Sequence, residues 1–84
     1  MNELEFVNYL WENDKVGCCQ YLIDLIVPII SKSKISKKDY DFVLSVLNLC
    51  NVIYNCNKKD EIAKDIRSAT LTYYPILFSK TIDR

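Results

Sequence analysis

Hydrophobic and polar positions along this chain repeat with a helical period in four stretches, separated by short polar breaks. The strongest stretch is DYDFVLSVLNLCNVIYNC, from Asp39 to Cys56. At 100° per residue, Asp41, Ser45, Asn48 and Asn55 fall on one side, with Asn51 at the edge and Leu44 and Val52 intruding. Apolar residues fill the remaining arc of roughly 200°, wider than the roughly 100° stripe of an ordinary surface helix. Such a helix needs neighbours on at least two sides, so it is expected at the centre of the fold. Ser36 is its N-cap, Asp39 sits at the reciprocal capping-box position, and Ile35 and Tyr40 have hydrophobic-staple spacing. The Ser/Asn line lacks the Lys and Glu of a solvated face, and is therefore expected to be at least partly covered by another segment or by a partner.

The other three stretches follow the same logic. Asn2 and Glu5 cap a helix over 3–13, in which Val7, Leu10 and Trp11 share a face, Leu4 ends it, and Phe6 and Tyr9 lie off it. Asn13-Asp14 breaks the pattern, and Asp14 caps a second helix over 15–30, where Pro28 predicts a kink or a stop near Val27. Residues 31–35 are a polar connector, short enough to make the second and third helices antiparallel neighbours. A fourth helix over 60–74 starts with Asp60 or Asn57 as cap, carries Ile62, Ala63, Ile66, Ala69 and Tyr73 as its stripe, and offers an Asp60–Lys64 pair at i,i+4. The run TLTYYPILF (70–78) is β-branched and aromatic. A single strand has no partner here, so the helix is expected to break at Pro75, with Ile76, Leu77 and Phe78 folding back on the core and residues 79–84 frayed. The expectation is an all-α, single-domain bundle (1–84) of about four helices (3–13, 15–30, 37–56, 60–74), with the third helix central and a Pro75-broken C-terminal segment.

Composition narrows the class. Half of the 84 residues are hydrophobic (50%), with one Gly and two Pro. Tight hairpins and phosphate-cradling loops both consume glycine, so all-β and P-loop readings are disfavoured. Net charge is zero but unevenly spread: residues 1–31 hold Glu3, Glu5, Glu12, Asp14 and Asp24 against Lys15 alone, whereas 32–38 hold Lys32, Lys34, Lys37 and Lys38. An acidic N-terminus does not suit a secretory signal, and the most apolar run, Val16 to Ile30, is interrupted by Gln20 and Asp24. The expected location is the cytoplasm, without membrane association. Asn, Lys, Ile and Tyr are abundant, and their AT-rich codons are associated with AT-rich genomes and with mobile, phage or viral genes.

Catalytic chemistry has little to work with. There is no His, which removes the usual general base and the commonest metal ligand. Cys18 and Cys19 diverge by about 100° on a helix, and Cys50 and Cys56 diverge as well, so four buried reduced thiols are expected rather than zinc ligands. No enzyme activity, metal or cofactor is expected. The lysine cluster at 32–38 is the one nucleic-acid footprint, but the helix that follows it is the most apolar in the chain, which disfavours a recognition helix.

The run Leu71-Thr72-Tyr73-Tyr74-Pro75 resembles the Leu-Ile-Tyr-Tyr-Pro stretch of the colicin-type nuclease immunity proteins, four-helix domains of similar length. Leu71, Tyr73, Tyr74 and Pro75 match; the acidic, Gly-containing surroundings of that stretch do not recur, and the chain as a whole is not identified with any family. The resemblance implies that Tyr73 and Tyr74 contact a protein. Elimination and composition point the same way, since tyrosine and tryptophan dominate protein interfaces. The expected function is stoichiometric protein–protein binding, as an inhibitor such as an immunity protein or antitoxin or as a phage- or virus-encoded modulator. Candidate contact residues are Glu3, Glu5, Tyr9, Glu12, Tyr73 and Tyr74, the acids suiting a basic partner. The alternatives are a homo-oligomeric structural or adaptor protein and a nucleic-acid-binding regulator using Lys32–Lys38.

Overall fold

In the computed structural model, which describes residues 2–83, the first three helices start on the side chain the sequence nominated, and the fourth on Asp60, one of its two candidates. Asn2 Oδ1 accepts from the Glu5 amide (2.8 Å) and opens α1, Glu3–Asn13. Asp14 closes α1 and opens α2, Lys15–Ile30, accepting from the Gly17 amide at 2.9 Å. A Cβ at position 17 would collide with that Asp14 carboxylate, so the single glycine is what lets the cap close. Ser36 accepts from the Asp39 amide (3.0 Å) at the start of α3, Lys37–Cys56. Asp60 accepts from the amides of Ile62 and Ala63 at the start of α4, Glu61–Phe78. The chain is the expected all-α bundle of four helices.

α3 supplies the largest share of the core, burying Val43, Val46, Leu47, Cys50 and Ile53. It packs against α4 and α2, and α2 packs against all three other helices. α4 buries Ala63, Ile66, Thr70 and Leu77, and the Thr70 hydroxyl is satisfied by the Arg67 carbonyl at 2.7 Å. α1 rests on α2 and buries only Val7.

Three expectations are corrected. First, α4 does not break at Pro75: it runs on to Phe78, and Ile76, Leu77 and Phe78 continue the helix instead of folding back. Pro75 leaves the Leu71 carbonyl without its usual donor, but Leu71 and Pro75 are both exposed, on the side where water can serve that carbonyl. Leu77, fully buried, then fastens the last turn to the core. α2 likewise passes through Pro28 without stopping at Val27; Asp24 and Pro28 are exposed, and the buried Ile30 lies beyond them.

Second, the connector and the tail are not structureless. Lys34–Ser36 forms β1 and Thr81–Asp83 forms β2, a parallel pair with Ile35 opposite Ile82. Ile35 is buried, so the hydrophobic residue before the Ser36 cap also seats the strand against the core. Arg84, part of the tail expected to fray, lies outside the described residues.

Third, Asp60 pairs with Lys15 (2.5 Å) rather than Lys64, and Lys64 turns to Glu61 (3.2 Å). The Asp60 carboxylate is held towards the first amides of α4, within reach of the lysine that opens α2.

Candidate functional site

Part of the polar line of α3, Asn48 and Asn51, meets α4. The Tyr74 hydroxyl donates to Asn48 Oδ1 (2.6 Å) and Arg67 Nη1 donates to Asn51 Oδ1 (2.9 Å). The Arg67 guanidinium also lies over the Tyr54 ring, 5.4 Å from its centre. α4 thus half-buries Asn51 and bonds Asn48 at the edge of the seam, while Asn48, Ser45 and Asn55 all stay exposed and Ser45 bonds back to the Asp41 carbonyl (2.9 Å).

The six nominated contact residues fall into two groups on helices that α2 separates. On α1, Glu5, Tyr9 and Glu12 come together on the outer face, opposite Val7, and all three are exposed. Glu3 is exposed on the other side of the same helix, where it lines a groove. Tyr73 is half-buried against the core. Tyr74 is half-buried, tied to Asn48, and its ring lies 5.7 Å from that of Phe78. Burial raises the Tyr74 phenol above its ordinary pKa.

Beside Tyr74 lies a surface that the nominated set left out. Leu71, Tyr74, Pro75 and Phe78 stand at i, i+3, i+4 and i+7 on α4, and Leu71 and Phe78 are each 60% exposed. Between Arg67 and Lys80 the chain has no charged residue. In the first half of the helix the exposed Lys64 continues that face seven residues before Leu71, and Glu61 and Asp65 are exposed to one side of it. The signal was present in the sequence as an uncharged run, but the expected break at Pro75 removed Phe78 from the helix and so hid the stripe.

The stripe ends in a basic corner. Lys80 follows two residues after Phe78, and the Thr81 amide donates to the Ser33 carbonyl at 3.4 Å, bringing the end of the chain beside the lysine-rich connector. Lys34 is paired with Asp83 (3.6 Å) and Lys37 with Asp41 (2.6 Å). Lys32, Lys38 and Lys80 form no ion pair with the described residues.

A shallow groove of about 220 Å³ lies between α1, α2 and α3. Val7, Leu22 and Val46 form its floor, Leu4, Leu25, Phe42 and Leu49 its sides, and Glu3 and Ser45 add the only polar groups. It is smaller than the ~300–1,000 Å³ of most small-molecule sites.

Two of the cysteines are held as buried thiols. Burial, then the neighbouring Cys19, pushes the Cys18 thiol up to about 11 and the Cys50 thiol up to about 12, so both stay protonated at neutral pH. Cys18 Sγ points at the Val7 carbonyl (3.7 Å). All four thiols are free, and Cys56, expected in the core, is exposed at the end of α3. Among the described residues no three His, Cys, Asp or Glu side chains converge as a metal site, and no helix is long and apolar enough to cross a membrane. Comparison with protein-family models, with characterised proteins and with solved structures finds no match for this chain.

Proposed function

We propose that this domain acts by stoichiometric binding to another protein, through the outer face of the second half of α4. One observation carries the reading: a continuous apolar stripe, Leu71–Tyr74–Pro75–Phe78, left uncharged and open on a helix whose other half is charged in the ordinary way. Contiguous exposed apolar surface on a small domain marks an interaction site far more often than scattered single residues do. Aromatic anchors of this kind supply most of the energy of protein interfaces. The finer form of the proposal, an inhibitor such as an immunity protein or antitoxin or a phage- or virus-encoded modulator, rests on size and on a composition poor in catalytic groups.

The test is photo-crosslinking in the organism that encodes the protein. A photoreactive residue replaces Leu71 or Phe78 in one pair of variants and Glu61 or Asp65 in a control pair. A protein adduct of defined mass at the first pair and not at the second supports the proposal. Absence of any adduct at Leu71 and Phe78 overturns it, and an adduct of the chain with itself transfers the support to the homo-oligomer.

A second reading has its own support. Glu5, Tyr9 and Glu12 share the exposed face of α1, an acidic surface centred on an aromatic residue, which suits a basic partner. Reversing Glu5 and Glu12 to Lys should slow association with such a partner and flatten its salt dependence. An unchanged salt slope removes this reading and leaves the α4 stripe untouched.

A further inference from the structure

We infer that the partner of the α4 stripe presents an apolar groove bordered at one end by carboxylates, the groove taking Leu71, Tyr74, Pro75 and Phe78 and the carboxylates facing Lys32, Lys38 and Lys80. The inference rests on the reading of this domain as a protein-binding module and specifies the chemistry of what it binds. Spacing at i, i+3, i+4 and i+7 is how one helix lays its anchors into a groove. The stripe is convex and held by a helix fastened at Leu77, so this chain contributes the helix and its partner the groove.

Area decides that the stripe does not act alone. Its four side chains offer on the order of 350 Å², against ~800 Å² per partner in a standard interface. The surface has to extend, and along the helix it extends in one of two directions. Towards Glu61 it meets mixed charge, with Lys64 already paired to Glu61. Towards Phe78 it runs into the strand corner, where β1 and β2 bring Lys80 next to the Lys32–Lys38 segment. Five lysines there (Lys32, Lys34, Lys37, Lys38 and Lys80) stand against Asp39, Asp41 and Asp83, a net charge of about +2, and Lys32, Lys38 and Lys80 are the lysines outside any ion pair with the described residues. An interface covering both the stripe and this corner needs negative charge at one end only.

Two other occupants fit less well. A helix that lies on an anionic lipid surface carries Lys or Arg along the flanks of its apolar face. The flanks here are Ser68, Thr72 and Ser79, and the lysines sit at one end. The groove a second copy offers, between α1, α2 and α3, has Glu3 as the one acid in its lining, and its volume of about 220 Å³ is too small for the four side chains of the stripe.

The experiment uses the full chain and the protein captured at Leu71 or Phe78. With that partner purified, association is followed at low and high salt for the wild type, for Phe78→Ala and for the triple variant Lys32→Glu, Lys38→Glu, Lys80→Glu. All these side chains lie at the surface or half-buried, and circular dichroism checks that helicity is kept. The expected result is affinity lower by about tenfold or more for Phe78→Ala, and for the triple variant an association rate lower by about tenfold with a much weaker salt dependence. A partner that binds through the stripe with an unchanged salt slope in the triple variant overturns the inference while the proposed function stands. A failure to capture any protein at the stripe overturns both. Self-adducts, or sedimentation with phosphatidylserine vesicles that depends on Phe78 and the lysines, overturn it in favour of a second copy or a lipid surface.

Discussion

α1 and α4 are both amphipathic helices on the outside of the bundle, and they use their outer faces in opposite ways. α1 is held by one fully buried residue, Val7, with Leu10 and Trp11 against the core and Phe6 edge-on to the Tyr21 ring of α2, and shows solvent Glu5, Tyr9 and Glu12. α4 is held by four buried residues, by two side-chain hydrogen bonds to α3 and by the Arg67–Tyr54 contact, and shows Leu71, Pro75 and Phe78. The contrast teaches where an exposed apolar surface is informative. On a weakly anchored helix, apolar side chains can turn inward as the helix shifts. On one fixed along its whole length they stay presented, and a surface already ordered before binding loses less entropy when a partner arrives.

The sharpest way to break the comparison is to remove the anchor of α4. Leu77→Ala deletes a fully buried side chain in the turn beyond Pro75 and should cost about 2–5 kcal/mol in urea unfolding. That turn should lose its amide protection first. If Leu77→Ala proves as mild as a surface change, the last turn is not held as described and the stripe loses its rigid support. Val7→Ala should cost less, about 2 kcal/mol, and its effect should be local: amides of α1 should exchange faster while those of α3 keep most of their protection. In the wild type α1 should already exchange faster than α3. Equal protection of the two would remove the contrast.

The seam offers intermediate tests. Arg67→Ala removes the bond to Asn51 and the contact with the Tyr54 ring, and should lower stability by about 1–2 kcal/mol. Tyr74→Phe keeps the ring beside Phe78 and deletes only the hydroxyl that donates to Asn48; the expected loss is about 0.5–1.5 kcal/mol. A double variant with Asn48→Ala should lose less than the sum of the singles, and strict additivity would mean that the two groups do not act together.

What the sequence made legible follows the range of the forces involved. Caps act within four residues, and Asn2, Asp14, Ser36 and Asp60 could all be read by eye. The wide apolar arc of α3 announced a central helix, a property of one helix, whereas the cover expected for its uncharged line is met only at Asn51, with Asn48 bonded at the edge. Pro75 was misread because the rule for proline is local while the outcome is tertiary: Leu77 in the core holds the turn that Pro75 weakens. The β1–β2 pair joins Lys34–Ser36 to Thr81–Asp83, and no local pattern in either three-residue segment announces the other. The candidate site suffered from the same gap. Tyr74 was visible as an interface type, but Leu71 and Phe78 become its neighbours only once the helix is known to continue, and Lys80 joins Lys32 and Lys38 only once the strands pair.

The smallest effect belongs to a tie that runs between the two regions through Lys15 of α2. Lys15, which opens α2, lies 5.1 Å from the centre of the Trp11 ring on α1 and pairs with Asp60, the cap of α4. Its bond to Lys15, more than the amides of Ala63 and Ile62, holds the Asp60 carboxyl below the usual aspartate pKa of 3.8, against the opposing effect of burial. A carboxyl depressed on folding contributes stability that is fully present above the unfolded pKa and is lost as pH falls from there through the folded value. Asp60→Asn keeps a capping side chain and removes the charge, and Lys15→Met removes the other half. At pH 7 the two single changes and their combination should be non-additive in urea midpoints, and the coupling should shrink as the pH is lowered past 3.8 and as salt is raised, since both groups are partly exposed. Exchange of α1 amides should respond more to Lys15→Met than to Asp60→Asn, because only the lysine touches Trp11. Coupling that persists in acid would show that the cap, and not the ion pair, joins the two ends of the molecule.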